Sequence, residues 1–278
     1  MLENEFKYRR RWGPTPKYDR VEAYKPDPKF YIIAGPCSVE SEEQINEIAD
    51  IVASVGATHL RGGVFRAGTY PGDNFGWIPL KLRMAYHEAA KRNNLQNIVE
   101  ILDYDNSDGW LEEILLYADC VQVGCRQMQN YTLLTKVAQT KKTVFLKRNP
   151  GATIDEWLGA AEYILKHGGR PVLIERGSSG HATHVRWDLS ISMIAAIHAI
   201  NPHLPVIVDA SHGTGRRDLV KPMTWAGVAA GADGCLVEVH TNPSKSLSDA
   251  DQAVSPLDYE DIMEGVYKMR QFVIGGKA

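Results

Sequence analysis

The sequence contains little cysteine, no long apolar run and no large excess of charge of either sign. Four cysteines, Cys37, Cys120, Cys125 and Cys235, are too few and too scattered for a disulfide framework. No run of about 18 apolar residues is present, which excludes a membrane-spanning helix. The first residues lack the apolar core of a secretory signal. We therefore expect a cytoplasmic protein with reduced thiols.

The charge and composition narrow the class of partner. The chain has 31 Lys and Arg against 34 Asp and Glu, and the net charge of −3 gives no reason to expect nucleic acid or an anionic membrane as a partner. With 44% hydrophobic and 23% charged residues it resembles an ordinary globular protein. No Gly-x-Gly-x-x-Gly motif follows the first predicted strand, which disfavours a dinucleotide-binding fold.

From residue 30 onward one pattern repeats: a short apolar run, a polar or Gly-containing junction, and an amphipathic helical stretch. Strands are predicted near residues 30–34, 58–61, 97–102, 119–123, 143–147, 171–175, 204–209 and 234–239. Helices are predicted near residues 42–55, 79–93, 107–117, 129–139, 153–168, 187–200, 218–230 and 257–272. This strict alternation predicts an α/β protein whose residues 30–278 form a single parallel (β/α)8 TIM barrel, with a doubly wound sheet as the alternative.

The first 29 residues have no clean periodicity and carry a basic cluster and several prolines. We expect residues 1–29 to form a short charged N-terminal extension packed loosely on the barrel, with a short strand near residues 21–24. The basic cluster is more typical of a solvated face than of a binding site.

Polar side chains recur where the predicted strands end, and barrels of this type bind their ligands at that end. These residues are Cys37, Arg61, Glu100, Arg126, Lys147, Arg176, His212 and Glu238, and Asp249 follows in the last loop. They separate into two chemical sets. Cys37, His212, Glu238 and Asp249 offer sulfur, nitrogen and oxygen donors, a combination suited to a divalent transition metal acting as a Lewis acid.

The second set is cationic and consists of Arg61, Arg126, Lys147 and Arg176. Taken singly, each arginine is more typical of a surface ion pair, and Cys37 of a small core residue. Together at one end of a barrel, these cations favour an anionic ligand that carries a phosphate and a carboxylate. A metal that faces several cations suggests carbonyl activation or phosphate-ester cleavage.

Several motifs then resemble one family. They are Ala34-Gly35-Pro36-Cys37-Ser38, Leu60-Arg61-Gly62-Gly63, Gly124-Cys125-Arg126-Gln127, Leu146-Lys147-Arg148, Ile174-Glu175-Arg176-Gly177, Asp209-Ala210-Ser211-His212-Gly213, Val237-Glu238-Val239-His240 and Ser246-Leu247-Ser248-Asp249. In this order they resemble the type I 3-deoxy-arabino-heptulosonate 7-phosphate (DAHP) synthases, in particular the type I-beta subgroup. This subgroup is similar to the 3-deoxy-octulosonate 8-phosphate synthases.

The resemblance implies a (β/α)8 barrel that condenses phosphoenolpyruvate with a phosphorylated aldose, with erythrose 4-phosphate as the leading acceptor. It implies that Cys37, His212, Glu238 and Asp249 bind the metal and that Arg61, Arg126, Lys147 and Arg176 bind phosphoenolpyruvate. Lys147, Arg66, Glu100 and His212 are the candidate catalytic residues. Mn²⁺ is the expected ion, with Co²⁺, Fe²⁺ and Zn²⁺ as alternatives, and we expect a dimer or tetramer of identical chains.

One segment departs from the family. Where many members have Lys-Pro-Arg-Thr, this chain has Arg66-Ala67-Gly68-Thr69. The resemblance therefore predicts that Arg66 replaces a lysine near both substrates and that Thr69, Arg148 or residues 70–77 hold the far end of the acceptor. A synthase or aldolase for another sugar or amino sugar, and a barrel without catalysis that serves for binding, are the alternative functions.

Overall fold

Parallel strands and helices alternate along the chain in the structure, a computed structural model that describes residues 18–27, 29–66, 76–102 and 110–275. The strands are β1 (Tyr31–Gly35), β2 (His59–Arg61), β3 (Phe65–Arg66), β4 (Gly76–Trp77), β5 (Gln96–Ile101), β6 (Cys120–Val123), β7 (Thr143–Lys147), β8 (Arg170–Glu175), β9 (Val206–Asp209) and β10 (Gly234–Glu238). The helices are α1 (Asp19–Ala23), α2 (Glu42–Ser54), α3 (Leu80–Arg92), α4 (Trp110–Tyr117), α5 (Tyr131–Gln139), α6 (Ile154–Lys166), α7 (Ile191–Ile200), α8 (Ala210–Thr214), α9 (Arg217–Ala229) and α10 (Pro256–Gly275).

Eight of these strands close into a barrel in the order β1-β10-β9-β8-β7-β6-β5-β2, and every neighbouring pair is parallel. Strands β3 and β4 form a small antiparallel pair in the segment after β2. The predicted (β/α)8 barrel is confirmed. Because all eight strands run in the same direction, their carboxyl ends meet at one end of the barrel.

Alternating side chains divide the apolar residues into two layers, because successive residues of a strand point to opposite faces. One layer fills the inside of the barrel with Tyr31, Ile33, Ile98, Cys120, Phe145, Val172, Ile174, Ile207 and Leu236. The other layer lies between the strands and the surrounding helices. The inner layer closes the barrel, so ligands have access only at its ends.

The predicted helix starts are also found. The side chain of Ser41 accepts a hydrogen bond from the backbone of Gln44 at 3.1 Å and caps α2. Thr153 and Glu156 form a reciprocal capping box at the start of α6. Such caps satisfy backbone N–H groups that have no partner within the helix.

Three local predictions were wrong. Residues 19–23 form helix α1 and not a strand; the closed barrel offers no free strand edge, and Val21 is instead buried on the barrel surface. The segment after β9, which the sequence indicated as a loop, forms helix α8, with Asp209 as its N-cap. Helix α7 begins at Ile191 and not near residue 187, because the backbone of the preceding residues hydrogen-bonds to helix α8 and to Ser178.

Within the described ranges, no helix has both the length and the apolar character that a membrane span requires.

Candidate active site

A cleft opens at the carboxyl end of the barrel, and eight of the nine polar residues singled out at the strand ends line it. They are Cys37, Arg61, Glu100, Arg126, Lys147, Arg176, His212 and Asp249. The ninth, Glu238, is fully buried and contacts Arg61 and His212. The structure thus brings both predicted sets, the metal donors and the cations, to one place.

Three of the four predicted metal donors form one group. The Sγ of Cys37 and one carboxylate oxygen each of Glu238 and Asp249 lie within 4.8 Å of one another. Ligands of a single ion, at bond lengths of about 2.0 to 2.3 Å, lie about 3 to 4.5 Å apart, so this group needs little movement to share one ion. The thiol, the two carboxylates and the neighbouring imidazole suit a divalent transition metal.

The fourth predicted donor, His212, lies beside this group. Its Nδ1 is 2.8 Å from Oδ2 of Asp209, and its Nε2 is 3.3 Å from Oε1 of Glu238. If Nδ1 donates to the Asp209 carboxylate, Nε2 faces Glu238 with a lone pair. Two acceptors at this distance favour a cation between them, and a carboxylate behind the ring is typical of metal-binding histidines. The arrangement therefore fits the predicted metal site.

Asp209 is buried between His212 and Lys147. Its Oδ2 lies 3.3 Å from Nζ of Lys147 as well as close to His212. Burial acts to raise the pKa of Asp209, but its contacts with His212 and Lys147 outweigh burial and hold this pKa well below its usual range. Asp209 is thus a carboxylate that orients both side chains.

The carboxylate of Glu238 is held from two sides. Arg61 donates to Oε1, and Gln252 donates to Oε2 at 2.5 Å. Burial acts to raise the pKa of Glu238, but His212, Arg61 and the hydrogen bond from Gln252 lower it to about 2. Because Arg61 is paired with a metal donor in this way, it neutralises charge at the metal site as well as lining the cleft.

The loops that carry Cys37 and Asp249 are joined directly. The hydroxyls of Ser38 and Ser248 lie 2.9 Å apart, next to the contact of 3.0 Å between the Cys37 thiol and Asp249. Asp249 has a φ of 49°, in the left-handed region that aspartate tolerates better than most residues. These contacts fix two donors from distant parts of the chain relative to one another.

Arg176 is a buried cation with unused donors. It is 3% exposed, and its Nη2 donates weakly to the backbone oxygen of His212 at 3.4 Å. Its Nε and Nη1 are buried and have no hydrogen-bond partner within the part of the chain that the structure describes. Since buried donors are nearly always paired in native proteins, these atoms indicate a place for an anionic ligand.

Glu100 is oriented by two neighbours. Gln122 donates to its Oε2 at 2.8 Å. A Cβ atom at residue 124 would lie 2.3 Å from its Oε1, so glycine at this position leaves room for the carboxylate where it lies. The carboxylate is therefore fixed on the cleft wall, where it can orient a water molecule or a cationic group.

The structure does not bring Arg148 to the cleft. This side chain is fully buried and donates to both oxygens of Glu175, at 2.5 and 2.9 Å, and to the hydroxyl of Ser178. These contacts use its guanidinium, so Arg148 is a structural residue and not a ligand for the acceptor. Arg66 lies at the end of β3, while Gly68 and Thr69 lie outside the described residues; the roles predicted for Arg66 and Thr69 remain predictions.

Three residues at the site were not among the predicted site residues: Asp209, Arg186 and Gln252. Asp209 carries a sequence signal, because it is the last residue of a buried strand and precedes a histidine by three positions. Arg186 lines the cleft from the segment between β8 and α7 and lies just before the helix predicted near residues 187–200. Gln252 lies in a loop and carries no such signal.

The fold and this cleft define a class of enzyme: a (β/α)8 barrel that binds an anionic substrate beside a site suited to a divalent metal. The model of the DAHP synthetase I family matches residues 23–273. The chain belongs to this family and is an enzyme of the 3-deoxy-7-phosphoheptulonate synthase type, and the family is metal-dependent. The family resemblance deduced from the motifs is confirmed.

The relatives agree with this assignment. The chain is 40% identical over 243 residues to a phospho-2-dehydro-3-deoxyheptonate aldolase of Thermotoga maritima, covering 87% of this chain and 69% of the relative. A 2-dehydro-3-deoxyphosphooctonate aldolase of Desulfotalea psychrophila is 27% identical, covering 87% of this chain and 90% of the relative. A crystal structure of the phospho-2-dehydro-3-deoxyheptonate aldolase from Thermotoga maritima superposes with a TM-score of 0.83 at 37% identity, covering 90% of this chain and 72% of that one. A truncated form from the same organism gives 0.79 at 36% identity, covering 90% and 89%.

Proposed function

We propose that the chain condenses phosphoenolpyruvate with erythrose 4-phosphate and water to give DAHP and inorganic phosphate. The observation that supports the proposal is that metal-suited donors and several cations meet in one cleft, where Arg176 has buried nitrogen atoms without a partner among the described residues. Phosphoenolpyruvate offers a phosphate and a carboxylate to the cations. The aldehyde of the acceptor offers an oxygen that a Lewis acid can activate.

Arg126, Lys147 and Arg176 hold phosphoenolpyruvate in this proposal, because they present donors on one side of the cleft. Carbon 3 of phosphoenolpyruvate forms a bond to the aldehyde carbon, and water adds at carbon 2. The new hydroxyl requires one proton, which the ammonium of Lys147 can donate, with Asp209 keeping this side chain in place. Phosphate leaves as carbon 2 becomes a ketone, and Glu100 orients the water.

Cys37, His212, Glu238 and Asp249 would hold the divalent ion, which supplies Lewis acidity toward the aldehyde oxygen when bound. Two cationic residues balance the negative charge of these donors: Arg61 contacts Glu238, and Lys147 contacts Asp209 behind His212. We propose Mn²⁺ as the ion and a homo-oligomer as the assembly. Metal analysis of the purified protein and its mass in solution test these two points.

The experiment is a phosphate-release assay with phosphoenolpyruvate and a panel of aldehydes: erythrose 4-phosphate, arabinose 5-phosphate and a non-phosphorylated analogue. We expect release that requires both an aldehyde and a divalent ion, and that is fastest with erythrose 4-phosphate. Lys147→Ala should weaken phosphoenolpyruvate binding by about 1.5 to 3 kcal/mol, the contribution of a hydrogen bond to a charged group. Lys221→Ala, at an exposed ion pair with Asp261, is the matched control.

Two results would contradict the proposal. The first is full activity in protein stripped of metal by a strong chelator. The second is equal thermal protection of Lys147→Ala and the parent by phosphoenolpyruvate. If another aldehyde were preferred, the proposed type of reaction would stand, and that aldehyde would replace erythrose 4-phosphate as the proposed acceptor.

A further inference from the structure

The residues between β8 and α7 include a short segment, Arg186 to Asp188, that is fixed on both sides. The backbone N–H groups of Arg186 and Trp187 donate to the oxygens of Thr214 and Gly213 at 2.8 and 2.9 Å. On its other side, Asp188 exchanges two backbone hydrogen bonds with Ser178. The position of this segment at the edge of the cleft is therefore set by the main chain.

Two adjacent residues of this segment, Arg186 and Trp187, contribute to the same part of the cleft. The guanidinium of Arg176 lies over the ring of Trp187, at 5.3 Å from its centroid. Residue 187 also lies close to the loop that follows Arg176: a Cβ at Gly177, whose φ is +102°, would lie 2.5 Å from the Cβ of Trp187. Trp187 thus supports Arg176, and Arg186, one position earlier, lines the cleft itself.

Arg186 has weak contacts and spare donors. Its Nη1 lies 3.5 Å from Oδ1 of Asp249 and 3.3 Å from Oε1 of Gln252, and the side chain is 39% exposed. Among the described residues, its Nε and Nη2 have no protein partner. Both contacts lie at the long end of the range for ion pairs and hydrogen bonds, so a stronger acceptor can replace them.

Arg176 and Arg186 therefore line the same cleft, and each has N–H donors that make no hydrogen bond within the described residues. Arg176 is buried, and two of its nitrogen atoms, Nε and Nη1, have no hydrogen-bond partner among the described residues. Both guanidinium groups are cationic and line the same cleft, so they repel one another. A dianion placed between the two guanidinium groups would remove this repulsion and use the spare donors.

We propose that Arg186 and Arg176 form a phosphate-binding subsite in which Arg186 is a specificity-determining residue. The ligand is the phosphate monoester of one of the two substrates, and this part of the inference rests on the proposed function. In the free enzyme Arg186 contacts Asp249 and Gln252, and it exchanges these contacts for the phosphate when substrate binds. The subsite lies on the side of the cleft formed by the loops that carry His212 and Asp249.

The test compares four proteins by titration calorimetry with inorganic phosphate: the parent, Arg186→Gln, Arg176→Gln and the double variant. Loss of a bidentate contact to phosphate should weaken binding by about tenfold or more in each single variant. If both arginines bind the same phosphate, the two losses are not additive, and the double variant binds only slightly more weakly than either single variant. Arg186→Lys, which keeps the charge but not the planar fork, should regain part of the affinity.

Arg92→Gln is the matched control, because Arg92 lies in an exposed ion pair with Asp50 on helix α3 and not in the cleft. Two measurements distinguish the possible sources of the phosphate: the Kd for phosphoenolpyruvate, from titration in the absence of an aldehyde, and the KM for erythrose 4-phosphate. If the Kd rises in Arg186→Gln, the phosphate belongs to phosphoenolpyruvate; if the KM rises, it belongs to erythrose 4-phosphate.

Phosphate affinity of Arg186→Gln equal to that of Arg92→Gln would overturn the proposal, as would fully additive losses in the double variant. Failure of the proposed function would look different, because the parent would then bind phosphate but release none from phosphoenolpyruvate. Thermal unfolding of each variant checks that the fold is kept; Arg186 is part-exposed, so its variant tests the subsite even if Arg176→Gln is unstable.

Discussion

The orientation of His212 depends on a carboxylate that does not itself line the cleft. Asp209 ends β9, accepts the backbone N–H of His212 at 3.0 Å and lies 2.8 Å from its Nδ1. One aspartate thereby caps helix α8 and sets which ring nitrogen faces Glu238. A carboxylate in this position keeps the ring in the form that donates a lone pair to a metal.

Asp209→Asn should therefore lower metal affinity. The amide keeps the shape of the carboxylate but removes the charge that stabilises both the imidazole and Lys147, and we expect a loss of about 10- to 100-fold in the affinity for Mn²⁺. Competition with a fluorescent chelator measures the affinity without reference to turnover. Asp261→Asn, which removes an exposed carboxylate on α10, serves as control. Equal affinity in the two variants would contradict the role given to Asp209.

The strand-end rule predicted the residues that line the cleft, since it depends only on where each apolar run stops. Arg148 was not among the strand-end residues and was suggested only for the far end of the acceptor, and the sequence itself contains a reason for its place outside the cleft. Lys147 and Arg148 are consecutive in an extended chain, so they point to opposite faces, and Lys147 takes the inward position. Gln252 could not be predicted, because its contact with Glu238 depends on the path of a loop.

At the scale of the elements, the end of the barrel opposite the cleft contains a buried histidine. His59, at the start of β2, packs its ring at 5.7 Å from Tyr31 and 5.3 Å from Phe145, measured between ring centroids. Its Nδ1 lies 2.7 Å from the hydroxyl of Thr58. Burial lowers the pKa of His59 from 6.5 to about 4. The ring is therefore neutral in the folded protein at neutral pH.

This shift predicts a loss of stability in mild acid. The unfolded chain takes up a proton at His59 near pH 6.5 and the folded protein only near pH 4, so the stabilisation is complete above 6.5 and lost as the pH falls toward 4. The total change is about 3 kcal/mol in the free energy of unfolding. Urea unfolding of the parent and His59→Gln between pH 7.5 and 4.5 measures it.

The variant should show a smaller decrease than the parent, because glutamine does not titrate in this range. His203→Gln, at an exposed position, should retain the slope of the parent. Parallel curves for the parent and His59→Gln would show that His59 is accessible to protons in the folded state.

The repeating pattern of the elements made the barrel predictable, because eight apolar runs in alternation with helices have few compact arrangements. Segments outside the repeat were not predictable in the same way. Helix α8 has five residues, two of them with low helix propensity, and depends on the cap from Asp209. The segment from Arg186 to Asp188 is defined by hydrogen bonds to residues about 25 positions later in the chain and leaves no local signal.

At the scale of the whole molecule, residues 18–27 are attached to the outside of the barrel by specific polar contacts. The hydroxyl of Tyr18 donates to Asp155 at 2.7 Å, and the backbone N–H of Val21 donates to Glu162 at 2.7 Å. The side chain of Asn201, at the end of α7, donates to the backbone oxygens of Val21 and Tyr24 at 2.6 and 2.8 Å. These residues belong to the predicted N-terminal extension, and they dock on helix α6 and the end of α7.

Asn201→Ala should loosen this segment and destabilise the protein. A five-residue helix such as α1 is too short to be stable alone, so its structure depends on contacts with the barrel. Asn201 is 2% exposed, and removing its amide takes one donor from the Tyr24 oxygen and leaves the Val21 oxygen with only the N–H of Tyr24 at 3.2 Å, which should cost about 1 to 3 kcal/mol. Urea unfolding measures the cost, and limited proteolysis should show faster cleavage near residues 18–27.

Asn46→Ala, which removes an exposed contact with Arg92, should change stability by no more than about 0.5 kcal/mol. Equal urea midpoints for the two variants would show that docking of this segment contributes nothing to the stability of the barrel.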